Sequence, residues 1–404
     1  MSRIKNLPSE WKRKRLEKVA AIQTGIAKNQ NSKQETIELP YLRVANVQDG
    51  YLDLSEMKTI NIHKDKVNRH RLENGDVLLT EGGDFDKLGR GAVWEGQIQN
   101  CLHQNHVFVV RPNCHELLPN FLSAQTGSSY GKRYFLSCSK QSTNLASINS
   151  SQLKAFPVLL PPVPEQKAIS DLLATWDEGI KKTERLIQAK EKQFKRLLNG
   201  LIYVPTIEGK WNQVRAKSLF KERKELKRGD LPLLSITNGE GVIPRENTNR
   251  KDTSNEDKSK YLRICPGDIG YNTMRMWQGV SALSSLVGIV SPAYTICIPG
   301  EKLHPQFVAY LFKMPFMIHQ FYRYSQGLTS DTWNLKFRHF GEVKMPFPSI
   351  EEQQQISETL SSAQHEINLL KQLAGKYKTQ KRGLMQKILT GKWRVMPEAV
   401  KAYE

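Results

Sequence analysis

Residues 164–170 read PEQKAIS behind the proline run LLPPV, and residues 351–357 read EEQQQIS behind PFPSI. One chain thus writes Glu-Gln-x-x-Ile-Ser twice, 187 residues apart. Self-similarity at a fixed offset is the mark of a repeated architecture. The match continues downstream, where Ile169 meets Ile356, Leu173 meets Leu360, Ile180 meets Ile367 and Leu197 meets Leu384.

The apolar positions that follow each motif advance in alternating steps of four and three. The first run passes through Ile169, Leu173, Trp176, Ile180, Ile187, Phe194, Leu197 and Leu201, broken by the polar Thr183 and Lys190. The second passes through Ile356, Leu360, Ile367, Leu370, Leu384 and Ile388, broken by Lys381. A 4-3 alternation is the seam of a coiled coil, where side chains of one helix fill gaps in another. Each run covers 33 residues, so each helix spans about 50 Å at ~1.5 Å per residue. Pro161, Pro162, Pro164 and Pro348 stand where a helix can begin. Two such helices most simply pack on each other as an antiparallel coiled coil.

The segments before the helices also correspond. LPSEWKRKRLEKVA (7–20) resembles EGKWNQVRAKSLF (208–220), with Trp11 opposite Trp211. LPYLRVANVQDG (39–50) parallels LPLLSITNGEG (231–241), NGDVLL (74–79) parallels PGDIGY (266–271), and HVFVVRP (106–112) parallels AYTICIP (293–299). These are short β-rich runs separated by Gly, Asp and Asn turn signals. The expectation is a mixed α/β chain with an internal two-fold repeat. Domain one covers 1–160, a spacer helix 161–204, domain two 205–347, and a second spacer helix with its tail 348–404.

Composition narrows the function. Among 404 residues, 60 Lys and Arg stand against 40 Asp and Glu, a net charge of +20. Such an excess favours a polyanion, most simply nucleic acid. Five widely spaced cysteines without a C-x-x-C pair argue against a zinc ribbon or disulfide framework. No secretory h-region is visible and no apolar run approaches the ~20 residues of a membrane span. A cytoplasmic protein without membrane contact is expected.

Motifs that would carry chemistry fail on inspection. HELLPN (115–120) opens like a zincin, but Pro119 occupies the place of the second histidine and makes a helix there unfavourable. GSSYGK (127–132) lacks the spacing of a phosphate loop, and no G-x-S-x-G elbow occurs. Neither catalytic, metal-binding nor cofactor-binding residues are expected in this chain. Two rivals stay open: a self-sufficient DNA-modifying or DNA-cleaving enzyme with a diverged site, and a coiled-coil scaffold that binds no DNA.

A DNA reader needs planar donors and amides for base edges, with cations for phosphates. In the first half the candidates are Arg43, then Lys87 and Arg90 of DFDKLGRG (84–91), and Lys140, Gln141 and Asn144 of SCSKQSTNLASINSSQ (137–152). In the second half, VIPRENTNRKD (242–252) offers Arg245 and Arg250, and YNTMRMWQG (271–279) offers Arg275, Trp277 and Gln278. YRYSQGLTSDTWN (322–334) adds Arg323, Tyr324, Gln326 and Asn334. Apart from Arg43, which falls in the β-rich run YLRVANV, all are expected in loops. From Lys371 to Arg394 there are eight positive residues and no acid. That run could line a DNA channel, form a solvated helix back, or attract the other helix.

The PPVPEQKAIS and IEEQQQIS helix starts, the LPSEWKRKRLEKVA opening and the LTGKWRV close (389–395) together resemble type I restriction–modification specificity subunits. YNTMRMWQG, SPAYTI and TWNLKF of the second half look like a common target recognition domain of that family; the first half is a less familiar variant. One departure is LLNGLIYVPTIEGKW (197–211), which lengthens the link after the first helix. The resemblance implies that each domain reads one half of a split, asymmetric double-stranded DNA target. It implies that the paired helices space the half-sites and dock two modification (methyltransferase) subunits. Restriction (motor–nuclease) subunits would complete the complex. S-adenosylmethionine, ATP and Mg would then belong to the partners and not to this chain.

Overall fold

The computed structural model describes residues 7–27, 36–83, 85, 88–141, 146–226, 228–248, 257–329 and 332–395. It divides into two units, Met1–Glu184 with Gln372–Glu404, and Arg185–Lys371.

In the first unit the apolar run Val107–Val110 is buried throughout, as expected of a strand covered on both faces. Successive side chains of a strand point to opposite faces. Phe108 and Val110 accordingly join a cluster with Leu16, Phe121, Phe135 and Phe156. Val107 and Val109 join another with Leu42, Leu78 and Trp94. This strand, Val107–Pro112, lies inside an antiparallel sheet ordered Ala20–Thr24, Val107–Pro112, Val77–Thr80, Gly91–Val93. A second sheet is ordered Lys58–His63, Thr36–Leu42, Leu102–His103, its last pairing parallel.

The second unit repeats the plan. Its four-stranded sheet is ordered Phe220–Glu222, Tyr294–Pro299, Ile269–Asn272, Ser281–Leu283. Cys297 faces the cluster of Phe307, Phe312 and Phe340, and its neighbour Ile296 faces that of Leu234, Ile264 and Val290. Each sheet is fixed by one buried carboxylate in the turn entering its third strand. Asp76 takes Arg111 at 2.7 and 2.9 Å, and Asp268 takes Arg223 at 2.7 and 3.0 Å. Arg111 lies on the second strand of its sheet and Arg223 just past the end of the first strand of its own, so the charge pair is rebuilt rather than copied.

His103 is buried on the parallel strand, with Nδ1 2.8 Å from the Val107 carbonyl and the His70 ring centroid 6.2 Å away. Burial pushes it down from 6.5 to about 4, against the pull of that carbonyl. As pH falls below 6.5 the unfolded chain takes up this proton and the folded one does not until about 4. Stability contributed by the neutral ring is therefore lost across that window, by up to about 3 kcal/mol. Urea unfolding at pH 7.5 and 4.5 should show this loss in the wild type and a clearly smaller one in His103→Gln; equal losses would contradict it.

The two seams lie on helices Val163–Leu198 and Ile350–Ile388, of 36 and 39 residues. The first continues through a π-turn at Asn199–Tyr203 and a short helix Val204–Ile207. In the first unit Ile169, Leu173, Ile180 and Ile388 are buried, with Trp176 and Leu384 half-buried. There Trp176 meets Tyr377 edge-on at 5.9 Å. In the second unit Ile187, Ile356, Leu360 and Ile367 are buried, and Phe194, Leu197 and Leu370 half-buried. The two lysines of the seam reach acids on the facing helix: Lys381 pairs with Asp177 in the first unit, and Lys190 with Glu366 at 2.8 Å in the second, while Thr183 donates to the Gly179 carbonyl of its own helix at 2.8 Å. Glu184 pairs with Lys378 at 2.7 Å. Partner numbers thus rise on one helix as they fall on the other, an antiparallel pairing within the first unit.

These contacts decide among the readings of the basic run. Lys378 and Lys381 hold acids of the facing helix, and Lys371 holds Glu191 at 2.6 Å in the second unit. Lys387 lies 3.7 Å over the Trp393 ring, and Arg394 grips Glu165 and Glu10. Most of the run is therefore spent on attraction inside each unit.

The repeated Glu-Gln has a structural meaning. Gln166 is fully buried; it accepts from the Leu118 backbone N–H at 2.9 Å and donates to the carbonyls of Glu116 and Pro161 at 2.7 and 2.9 Å. Gln353 does the same with the His304 N–H at 2.8 Å and the Lys302 and Pro348 carbonyls at 3.1 and 3.0 Å. Beside them, Glu165 accepts from the Trp11 indole and Glu352 from the Trp211 indole, both at 3.1 Å. Each long helix is thereby bolted to the domain that precedes it, through groups that would otherwise be buried unpaired. The strand Lys12–Arg15 pairs with Pro157–Leu160, and Asn212–Arg215 with Lys344–Phe347, placing each tryptophan against its glutamate.

Candidate nucleic-acid interface

In the second unit three separate pieces of chain meet at one end of the four-stranded sheet. The strand Ile269–Asn272 runs into a tight 3-10 turn, Met276–Gln278, whose Met276 is fully buried. Gly279 closes that turn at φ 77°, a left-handed conformation that glycine adopts without strain. A side chain there would also strike Ile318, 2.8 Å from an added Cβ. The second piece is the last turn of the helix Pro315–Tyr324. The third is the loop between Gln326 and Asn334, whose ends exchange backbone hydrogen bonds at 2.8 Å each way. Leu335 N–H donates to the Thr273 carbonyl at 2.8 Å and joins this loop to the first piece.

Aromatic rings cement the junction. Trp333 lies edge-on to both Trp277, at 5.3 Å, and Tyr322, at 5.0 Å. Around them Arg275, Gln278, Arg323 and Gln326 are exposed. The arrangement presents two guanidinium groups and two amides beside a rigid aromatic platform, the donor set that reads base edges and grips phosphates. Half-buried Asn334 spends its amide on the Gln326 and Thr332 carbonyls and so shapes the loop.

Two candidates of this half go elsewhere. Tyr324 packs with the core cluster of the domain. Arg245 is half-buried behind the strand Gly241–Pro244, with its Nη1 3.3 Å from Ser235 Oγ. Arg250 falls outside the described residues.

The first unit builds the same junction with less of it described. Gly82–Gly83 pairs with Ala146–Ser147, which pairs with Lys140–Gln141. That three-stranded ribbon stands where the Thr273–Leu335 and Gln326–Asn334 pairings stand in the second unit. Lys140 is exposed on it; the Gln141 side chain, Lys87 and Asn144 lie outside the described residues. Half-buried Arg90 donates to Gln48 at 3.1 Å. Arg43 is turned to Glu56, at 3.3 Å, and its carbonyl, at 3.1 Å.

Residues 8–191 match the family described as the type I restriction modification DNA specificity domain. A Methanocaldococcus jannaschii protein assigned as the specificity subunit of the type I restriction enzyme MjaX is 23% identical over 411 residues, spanning 97% of this chain and 96% of its own. Residues 8–191 thus carry the type I restriction modification DNA specificity domain, and the chain is similar to type I specificity subunits over nearly its whole length. Another relative of that family, the EcoKI specificity subunit of Escherichia coli, is 29% identical over 132 residues, 32% of this chain and 28% of its own.

Solved structures of family members carry the same fold. The HsdS subunit from Thermoanaerobacter tengcongensis is 15% identical with a TM-score of 0.50, over 96% of this chain and 98% of its own. The type I restriction-modification system S subunit from M. genitalium is 12% identical with a TM-score of 0.55, over 96% and 98%. The expectation of a mixed α/β fold with two domains therefore holds.

The structure also corrects the sequence reading. The polar stretches were expected as loops, but Arg323 and Tyr324 end a helix and Lys140–Gln141 is a strand. Apolar spacing explains the first: Met317 and Phe321 give the Pro315–Tyr324 helix a buried face. A helix does form after HELL, starting at Pro119 itself as an N1 residue, so His115 lies before it. Trp333 and Tyr322 were missed as parts of the site. The indoles of WQG and TWN were the signal available, since tryptophan is enriched at the energetic centres of recognition surfaces.

Proposed function

We propose that this chain is the DNA-reading subunit of a type I restriction–modification complex, with each domain contacting one half of a split, asymmetric target. What carries the reading is the recurrence of one domain plan with a junction after the third strand of the sheet, which bears exposed Arg275, Gln278, Arg323 and Gln326 in the second domain and exposed Lys140 in the first. In the second domain Arg275 and Arg323 suit guanine edges or phosphates, and Gln278 and Gln326 suit adenine edges. The Trp277–Trp333–Tyr322 platform holds these groups at low entropic cost, because rigid rings leave little motion to lose on binding.

The reading assigns no bond-breaking step to this chain. It acts as specificity component, and the paired helices serve as spacer between the half-sites and as docking surface for two modification subunits. Those subunits would bring S-adenosylmethionine, and restriction subunits would bring ATP and Mg. Selection of duplexes from a random pool by the assembled complex tests the reading: two blocks of fixed bases separated by unread positions are expected, and a single contiguous block would oppose it.

A further inference from the structure

Lys313 lies at the junction of the helices Pro305–Leu311 and Pro315–Tyr324 and belongs to no motif. Its ammonium donates to the Asn238 side-chain oxygen at 2.8 Å, the Gly279 carbonyl at 2.8 Å and the Ser281 carbonyl at 2.7 Å. These acceptors come from two separate segments of the chain. Asn238 is the turn of the hairpin Leu234–Thr237 and Gly241–Pro244. Gly279 and Ser281 close the turn that carries Arg275, Trp277 and Gln278. One side chain thus saturates its three donors in fixing the reading turn against a hairpin. Burial pulls the ammonium down from 10.5 to about 8, so the chain holds a costly charge at this spot.

The first unit ties the corresponding pieces by other means. Gly50 N–H donates to the Gly91 carbonyl at 2.9 Å, and Lys132 reaches Asp49 at 2.8 Å from the helix Ser129–Cys138. There the interhelical junction is Gly127–Ser128 and carries no lysine. A cross-tie between hairpin turn and reading turn recurs although the residues making it do not.

We infer that Lys313 is a positioning residue for recognition of the second half-site, setting the conformation of the 273–280 turn without itself being a base reader. The inference rests on the proposed DNA-reading role of that turn. Lys313→Met keeps the length and removes the donors; Lys313→Arg keeps a charged donor. Both are introduced into the full chain and tested in the assembled complex on three duplexes: the cognate target, one with the first half-site scrambled, and one with the second scrambled. Lys313→Met should cut discrimination at the second half-site at least tenfold, leave the first unchanged, and be partly restored in Lys313→Arg. Unaltered discrimination at the second half-site overturns the inference. So does an equal loss on all three duplexes with a shallower salt slope, which would make Lys313 a phosphate contact. Should Lys313→Met unfold the second unit, Asn238→Ala decides: it removes one exposed partner, and a smaller loss confined to the second half-site supports the tie, while no change overturns it. If the wild-type complex discriminates at neither half-site, the DNA-reading role itself fails, an outcome distinct from the others.

Discussion

Gln353→Met should lower the unfolding free energy of the protein by about 3–5 kcal/mol, measured by urea titration, although the substitution conserves volume. The side chain is fully buried and makes one accepted and two donated hydrogen bonds, all to main-chain groups. Methionine satisfies none of them. The His304 N–H and the carbonyls of Lys302 and Pro348 are then left without partners, at about 1–3 kcal/mol for each buried group that water cannot reach. Gln166→Met removes the matching set around Leu118, Glu116 and Pro161 and should cost a similar amount. Such losses would be a large fraction of the total stability of a typical domain. A cost below about 1 kcal/mol for both would show that the glutamines do not hold helix to domain.

Arg275→Ala should weaken binding to a cognate duplex about 10- to 100-fold, the value of one good bidentate base contact. The loss should vanish on duplexes whose second half-site is already scrambled. The exposed guanidinium stands at the start of the 3-10 turn, on a backbone fixed by Gly279, buried Met276 and the Trp277–Trp333 contact. Removing it takes away a donor while leaving its support intact, so thermal stability should scarcely change. Competition binding at two salt concentrations measures the effect. A loss equal on every sequence would assign Arg275 to the phosphate backbone.

The long helices were legible because a period sustained over 33 residues is a strong signal. The buried strand pair around HVFVV was legible for a similar reason, since a short, continuously apolar run bounded by turns has few other uses. What the glutamines do was not legible. Two of the three partners of each lie about fifty residues earlier, and nothing in PEQKAIS announces a side chain that caps another segment's backbone.

The basic run from Lys371 to Arg394 misleads in the same way. Its charges look available in one dimension, and only the facing Asp177, Glu184 and Glu191 show where they go. Among the candidate readers, Arg275, Gln278, Arg323 and Gln326 converge because Trp333 draws three pieces of chain together. Tyr324 turns inward because it lies three residues beyond buried Phe321, on the same face of one helix. Composition treats Arg323 and Tyr324 alike; helical phase separates them.

The central claim is that this chain reads DNA twice, once with each domain. Selection from random duplexes by the complex, carried out with the wild-type chain and with Trp333→Ala, tests it most directly. The wild type should recover two fixed blocks separated by unread bases. The variant loses the ring that holds Trp277 and Tyr322 and should blur one block while leaving the other intact. A single contiguous block, or a variant that degrades both blocks equally, would contradict the account.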